Sequence, residues 1–252
     1  MARYAMHIDL AKCYGCRACM AACKVENNTP ERTFWMYAFR FEEGAYPDSH
    51  VWFLPRPCMH CDNAPCVKVC PVGAMYKRTD GIVVTDHDRC IGCRYCEVAC
   101  PYGVISFNWQ DPKKVQYFNW DSPESREMGP VVGGATPAYA NPDFDKSYGG
   151  GGESGARNIA GTAGRKGVVE KCTLCVHRTT KGLEPACAAV CPSFAITFGD
   201  LDDPGSEVAR RVGDVDTYRL AEDVGTSPRI YYSGHPAPSA RTREIEAVRG
   251  RA

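Results

Sequence analysis

Sixteen cysteines constrain this chain more than any other feature, because they fall into four groups of four with none left over. The first and third groups have the spacing C-x2-C-x2-C-x3-C, and the other two are more widely spaced. The groups are Cys13, Cys16, Cys19 and Cys23; Cys58, Cys61, Cys66 and Cys70; Cys90, Cys93, Cys96 and Cys100; and Cys172, Cys175, Cys187 and Cys191. This division indicates four sites with the same ligand requirement.

The C-x2-C-x2-C-x3-C spacing is typical of segments that bind a [4Fe–4S] cluster. Each cluster iron takes one external thiolate, so sixteen cysteines match four clusters. Structural zinc sites use separated C-x2-C pairs, a pattern that only the fourth group could satisfy. Disulfides are disfavoured because four sulfurs lie too close together within one motif for independent bridges. The sequence therefore predicts four [4Fe–4S] clusters, with Fe bound by all sixteen cysteines.

The remaining motifs predict no haem, no zinc and no nucleotide. No C-x2-C is followed by histidine, and no glycine-rich phosphate loop follows a predicted strand. His60 is interpreted as a residue near a site or on the surface, not as a ligand. The other histidines outside the motifs, His7, His50, His87 and His235, are scattered in the sequence and carry no metal signature.

The order of the groups predicts how they pair. In two-cluster ferredoxins the fourth cysteine of one run binds the cluster of the other run. The gap between Cys70 and Cys90 is short, so groups two and three form one unit and groups one and four the other. Pairing one with two and three with four remains the alternative. The predicted sites are Cys13, Cys16, Cys19 with Cys191; Cys172, Cys175, Cys187 with Cys23; Cys90, Cys93, Cys96 with Cys70; and Cys58, Cys61, Cys66 with Cys100.

This pairing predicts an α+β fold of two ferredoxin-like units that each hold two clusters. Residues 1–57 and 168–200 form the first, discontinuous unit, and residues 58–107 form the second. Residues 108–167 are an insertion, and the aromatic-rich stretch 108–170 is interpreted as an interface segment. Residues 201–252 form a C-terminal arm.

Local patterns predict several elements. Residues 81–85 are rich in β-branched side chains and predict a strand. Proline follows Cys70, Cys100 and Cys191 and ends the helix of each motif, whereas Lys24 follows Cys23 and lets the helix through Met20–Val25 continue. A short helix is predicted at Ser206–Val212 and an extended segment at Arg229–Tyr232. The tail Ser239–Ala252 is expected to dock on a partner or stay mobile.

Composition excludes several functions. The formal net charge is zero, so the chain lacks the excess of basic residues that is typical of nucleic-acid-binding proteins. No apolar run approaches the ~18 residues of a membrane span, and the first cysteine comes too early to leave room for a signal peptide. No nucleophile, acid or base forms a reactive constellation, so no catalytic residue is predicted.

Basic residues beside the motifs are interpreted individually as surface charge: Lys12, Arg17, Lys24, Lys68, Arg89, Arg94, Lys171 and Arg178.

The cysteine order resembles the four-cluster iron–sulfur subunits of the molybdopterin oxidoreductase (dimethyl-sulfoxide-reductase) family, especially the small subunits of arsenate, polysulfide and tetrathionate reductases. The resemblance is carried by the run from Cys58 to Pro71, the run from Cys90 to Gly103 and the segment Gly199–Pro204. Ser106–Trp109 is similar to the iron–sulfur subunit of a sulfite-reductase-associated membrane complex.

The resemblance implies a non-catalytic subunit that relays electrons between a molybdopterin (bis-MGD) subunit and a quinone-reactive membrane subunit or cytochrome. It implies a cluster order in which the Cys13 set lies nearest the molybdenum, followed by the sets of Cys172, Cys90 and Cys58. The expected location is the membrane, through a partner, on the cytoplasmic face or on the periplasmic face after co-export with the large subunit's twin-arginine signal. The alternatives are a stand-alone polyferredoxin and the sulfite-reductase-associated complex.

Overall fold

Short strands and helices alternate along the part of the chain that the computed structural model describes, residues 2–111, 166–214, 216–239 and 242–245. The strands are β1 (Tyr4–Asp9), β2 (Tyr37–Glu43), β3 (His50–Arg56), β4 (Met75–Lys77), β5 (Val83–Thr85), β6 (Ser106–Phe107), β7 (Val169–Glu170), β8 (Ile196–Asp200), β9 (Ile230–Ser233) and β10 (Arg243–Glu244). The helices are α1 (Ala18–Asn27), α2 (Pro65–Lys68), α3 (Tyr95–Ala99), α4 (Val176–Thr179), α5 (Ala186–Ala189) and α6 (Glu207–Val212). The mixed α and β content predicted from the sequence is confirmed.

β1 is the central strand of a three-stranded sheet. It pairs antiparallel with β8 and parallel with β9. Ala5, Met6 and Ile8 of β1 are fully buried, and α6 packs against β1 and β8. The sheet therefore holds the segment before the first cysteine group beside two segments that follow the fourth.

β2 and β3 form an antiparallel hairpin, and β10 extends it on the free side of β2. The register runs from Tyr37 opposite Arg56 to Glu43 opposite His50. Phe41 packs on Trp52 across the strands with ring centroids 4.8 Å apart. Such aromatic cross-strand pairs fix the register of a hairpin. The opposite face of the hairpin, with Ala38, Phe53 and Pro55, lies against the first cysteine group.

The second and third cysteine groups flank a small hairpin of β4 and β5. The predicted strand at residues 81–85 is confirmed at Val83–Thr85, and Val83 and Val84 are buried. α2 and α3, which carry cysteines of these two groups, pack against each other. The second and third cysteine groups are therefore adjacent in space as well as in sequence.

Helix lengths follow the residue after each motif, as predicted. α2, α3 and α5 end before Cys70, Cys100 and Cys191, each of which precedes a proline. α1 passes Cys23 and continues to Asn27 because Lys24 replaces proline. The longer helix brings Glu26 and Asn27 to the fourth cysteine group, as described below.

The predicted helix at Ser206–Val212 is confirmed as α6, with Ser206 at its N-cap position. The predicted extended segment near Arg229–Tyr232 is confirmed as β9. The interface segment predicted at residues 108–170 lies largely outside the described residues, as does most of the tail after residue 239. Within the described ranges, no helix is long and apolar enough to cross a membrane.

Candidate functional site

All sixteen cysteines are free thiols, so the structure contains no disulfide among them. They lie in four sets of four, named here by one member each. The Cys13 site contains Cys13, Cys16, Cys19 and Cys191; the Cys172 site contains Cys172, Cys175, Cys187 and Cys23; the Cys58 site contains Cys58, Cys61, Cys66 and Cys100; the Cys90 site contains Cys90, Cys93, Cys96 and Cys70. The structure thus brings the fourth cysteine of each group to the site of another group.

Three of the four sets surround cavities of similar size. The cavity of the Cys90 site has a volume of about 310 Å³, that of the Cys58 site about 330 Å³ and that of the Cys13 site about 360 Å³. Each of these cavities has four thiols in its lining. These three sites therefore offer the same set of four sulfur donors.

The Cys172 site is the most enclosed of the four, and its cysteines are all buried. Burial raises the pKa of Cys187 well above its ordinary value, and the neighbouring charges of Cys175, Cys172 and Cys23 raise it further. The side-chain amide of Asn27 lies 3.6 Å from Sγ of Cys23 and 3.7 Å from Sγ of Cys175. Cys23 is therefore joined to the fourth group rather than to its own.

Tight turns shape the first and third motifs in the same way. Gly15 and Gly92 have φ of +74° and +72°, and Arg17 and Arg94 each have φ of 63° just before the helix of their motif. A Cβ on Gly92 would lie 2.2 Å from the carbonyl oxygen of Gly167, so no larger residue fits there. The turn places the C-x2-C cysteines on one side and starts the helix that carries the third.

The donor set fits a [4Fe–4S] cluster at each site. Burial raises the pKa of the thiols, to about 12 for Cys19 and Cys96 and about 11 for Cys61. A bound metal reverses this, because a coordinating thiol is deprotonated outright. Backbone N–H groups of Met75 and Leu174 already donate to Cys70 and Cys172, both at 3.4 Å. Such bonds stabilise cluster-bound sulfur.

The four sites differ in exposure. Cys16 at the Cys13 site and Cys93 at the Cys90 site are exposed, whereas the Cys172 site is wholly buried. The Cys58 site has only Cys100 partly accessible. Two sites therefore reach the surface and two lie inside.

Electrostatic interactions between thiols indicate which sites are neighbours. Cys19 of the Cys13 site interacts electrostatically with Cys187 of the Cys172 site. Burial and the charge of Cys58 together raise the pKa of Cys172 to about 12. The family order predicted the Cys90 site third and the Cys58 site last. The interaction of Cys58 with Cys172 instead favours the Cys58 site as the neighbour of the Cys172 site.

Three basic residues that the sequence analysis interpreted as surface charge are buried. Lys24, Lys171 and Arg178 are each at most 6% exposed. Lys24 donates to the carbonyl groups of Thr29, Pro30 and Thr33. The surface interpretation is wrong for these three, because backbone carbonyls and one carboxylate compensate the burial of their charge.

Lys171 lies between two of the sites. Its ammonium group donates to the carbonyl oxygens of Val83 and Cys172. Burial raises the pKa of Cys66 in the Cys58 site to about 12, and Lys171 opposes that shift. Lys171 is thus a fixed positive charge shared by the Cys172 and Cys58 sites, a role that its position in the sequence did not reveal.

His60 lines the cavity of the Cys58 site and is not a surface residue. Its Nδ1 accepts a hydrogen bond of 3.0 Å from the backbone N–H of Val83. Burial and the nearby cations Lys171, Arg229 and Lys77 lower its pKa well below the ordinary value. His60 therefore supports the site as a neutral imidazole beside it.

Exposed apolar residues surround the two accessible sites. The Cys16 face consists of Tyr14, Cys16 and Phe194, and Phe194 is 80% exposed. The Cys93 face consists of Ile91, Cys93, Tyr95 and Val98, and Val98 is 82% exposed. Apolar groups clustered on a surface are typical of protein interfaces.

Comparison with known proteins finds an iron–sulfur domain in this chain and relatives that are subunits of reductases. The 4Fe-4S dicluster domain model matches residues 49–117 and 158–201. The arsenate respiratory reductase iron–sulfur subunit of Shewanella sp. strain ANA-3 is 41% identical, over 91% of this chain and 95% of the relative. A putative dimethyl sulfoxide reductase iron–sulfur subunit of Halobacterium salinarum is 39% identical over 98% and 86%. A selenate reductase subunit of Mesobacillus selenatarsenatis is 37% identical over 91% and 71%.

Proposed function

We propose that this chain, which belongs to the iron–sulfur subunits of respiratory reductases, relays electrons through four sites in a row. The chain is an electron-transfer subunit and not a catalytic one. The proposed order is the Cys13 site, the Cys172 site, the Cys58 site and the Cys90 site. Each site would hold one [4Fe–4S] cluster, which supplies a one-electron redox centre when bound.

The proposed ligand sets are those of the four sites. In this arrangement groups one and four share two clusters, and groups two and three share the other two. The proposed units are residues 1–57 with 168–200, and residues 58–107. The proximity of Cys191 to Cys13 and of Cys23 to Cys172 supports the nested arrangement over the sequential one.

The observation that carries the proposal is the pattern of exposure along the row. The first and last sites each have an exposed cysteine, and the two between them are enclosed. A relay must exchange electrons with partners at its ends and exclude solvent in the middle. A catalytic subunit would instead need an open position for substrate, and four thiolates per cluster leave none.

The protein supplies burial and charge around the inner sites. Lys171 offsets negative charge at two of them, and Asn27 donates to two sulfurs of the Cys172 site. Hydrogen bonds and burial of this kind set the potential of an iron–sulfur site. These residues would therefore keep the reduction potentials of the Cys172 and Cys58 sites in a range that lets electrons pass between the two end sites.

The Cys16 face and the Cys93 face are the proposed docking surfaces. The Cys16 face would contact a large molybdopterin subunit, and the Cys93 face a quinone-reactive membrane subunit or a cytochrome. The relatives named above are subunits of reductases, which supports a multi-subunit assembly. Association with the membrane would come through the partner at the Cys93 face.

Affinity purification of the tagged chain from its source organism, without oxygen, tests the proposal. We expect a larger molybdenum-containing subunit to co-purify and about 16 iron atoms per chain. A chain with full iron content that elutes alone from a mildly solubilised extract would instead be a diffusible polyferredoxin. Zinc in place of iron would overturn the cluster assignment.

A further inference from the structure

Glu43, His50 and His235 come together on the surface away from the cysteine sites. Glu43 and His50 are a directly opposed pair at the loop end of the β2–β3 hairpin. His235 follows β9, so it reaches the pair from a distant part of the chain. One possible ligand atom from each residue lies within 4.8 Å of the other two.

His235 is held in an orientation suited to metal binding. Its Nδ1 makes a 3.0 Å hydrogen bond to the carbonyl oxygen of Pro236. Because a carbonyl can only accept, this bond places a hydrogen on Nδ1, so Nε2 is the nitrogen that can bind a metal. The ring also stacks on Trp52 at a centroid distance of 4.0 Å. A histidine that binds metal usually has its other nitrogen fixed in this way.

The carboxylate of Glu43 is also positioned by a neighbour. Thr242 donates a hydrogen bond to Oε1, and Oε2 lies 3.6 Å from Nε2 of His50. Two donors bonded to a tetrahedral Zn²⁺ at about 2.1 Å would be about 3.4 Å apart. The observed separation therefore needs only a small side-chain adjustment to accommodate an ion.

We propose that Glu43, His50 and His235 bind one divalent metal ion of the zinc class. Two imidazoles and one carboxylate are ligands that Zn²⁺ accepts, with water in the fourth position. Mg²⁺ and Ca²⁺ prefer all-oxygen sites and fit less well. The site departs from the expectation of no zinc, because histidines scattered in the sequence converge only after folding.

The ion would fasten the segment after β9 to the hairpin. β10 already pairs with β2 at Glu42 and Phe41, and Thr242 contacts Glu43. The same hairpin supplies Ala38 and Pro55 to the wall of the Cys13 site. The ion would thus act as a structural clamp on the hairpin that helps to form the Cys13 site, with no redox role of its own.

Zinc binding to the cluster-loaded chain tests the site. Anaerobic equilibrium dialysis with Zn²⁺ should give one ion per chain, with the iron content unchanged. His50→Ala, His235→Ala and Glu43→Gln should each abolish stoichiometric binding, and Thr242→Val should weaken it roughly 10- to 100-fold. Glu42→Gln makes the same change one residue away, on the opposite face of β2, and should bind like the unaltered chain.

A second readout is protection of the C-terminal segment. Zn²⁺ should slow limited proteolysis after Ser233 in the unaltered chain and in Glu42→Gln, and it should have no effect in Glu43→Gln. Equal zinc binding by all variants would place the ion elsewhere and overturn the proposal. Failure of a folded, iron-loaded chain to bind Zn²⁺ would overturn it as well.

Discussion

The carboxylate of Glu26 lies 2.7 Å from Nε2 of His177, and both side chains are almost completely buried. Its second oxygen lies 3.4 Å from Nη1 of Arg178. Glu26 is near the end of α1, and the other two residues are on α4. This contact therefore links the helix of the first cysteine group to the helix that follows the first two cysteines of the fourth.

Glu26→Ala should destabilise the iron-loaded chain strongly. Removing one partner of a buried charge pair typically costs about 3–5 kcal/mol, because the remaining charges stay buried without compensation. Thermal unfolding under anaerobic conditions measures the loss. Glu207→Ala is the control, since its pair with Arg211 is exposed and should contribute less than about 1 kcal/mol. Equal effects of the two changes would contradict the structural role of Glu26.

Lys171→Met should lower the reduction potentials at the Cys172 and Cys58 sites. Removing a buried positive charge makes the addition of an electron less favourable. Redox titration followed by EPR measures the potentials, and a fall of tens of millivolts is expected. Lys68→Met is the matched control, because Lys68 is exposed although it lies two residues from Cys66. Unchanged potentials in Lys171→Met would show that the charge is not coupled to these sites.

Substitutions on the two apolar faces should separate the two proposed partners. Phe194→Asp should weaken co-purification of the large subunit, and Val98→Asp should weaken association with the membrane partner, each by burying a charge at an interface. Both residues are mostly exposed in the isolated chain, so iron content and thermal stability should not change. Loss of both partners from either variant would argue against separate docking faces.

His7 should make the chain sensitive to acid. Burial lowers its pKa below the ordinary value of 6.5, and Arg211 lowers it further. The folded state favours the neutral ring, so this contribution to stability is present above about pH 6.5 and is lost as the pH falls. His7→Gln keeps a polar group near Ser233, the hydrogen-bond partner of His7. Its melting temperature should fall less between pH 7 and pH 5 than that of the unaltered chain, and parallel curves would contradict the assignment.

Features determined by nearby residues were predictable from the sequence. Motif spacing gave the four cysteine groups, and the residue after each group gave the ends of the helices. Proline ends α2, α3 and α5, whereas Lys24 allows α1 to continue to Asn27. Asn27 could also have been noticed, because it is four residues after Cys23 and so lies on the same helix face.

Features that depend on tertiary contacts were not predictable. Lys171 and Arg178 are compensated by groups far away in the sequence, so nothing local distinguished them from surface charge. The interaction of Cys58 with Cys172 likewise arises only in the folded chain. His50 and His235 are far apart in the sequence and come together only in the folded chain.

Matched substitutions of Cys191 and Cys187 test the central claim, the exchange of cysteines between groups one and four. Cys191→Ser should alter the EPR signal of the cluster bound by Cys13, Cys16 and Cys19, because Cys191 lies at that site. Cys187→Ser, four residues earlier, should alter the signal of the Cys172 site instead. If Cys191→Ser changed only the Cys172 signal and left the Cys13 signal intact, the exchange would be contradicted.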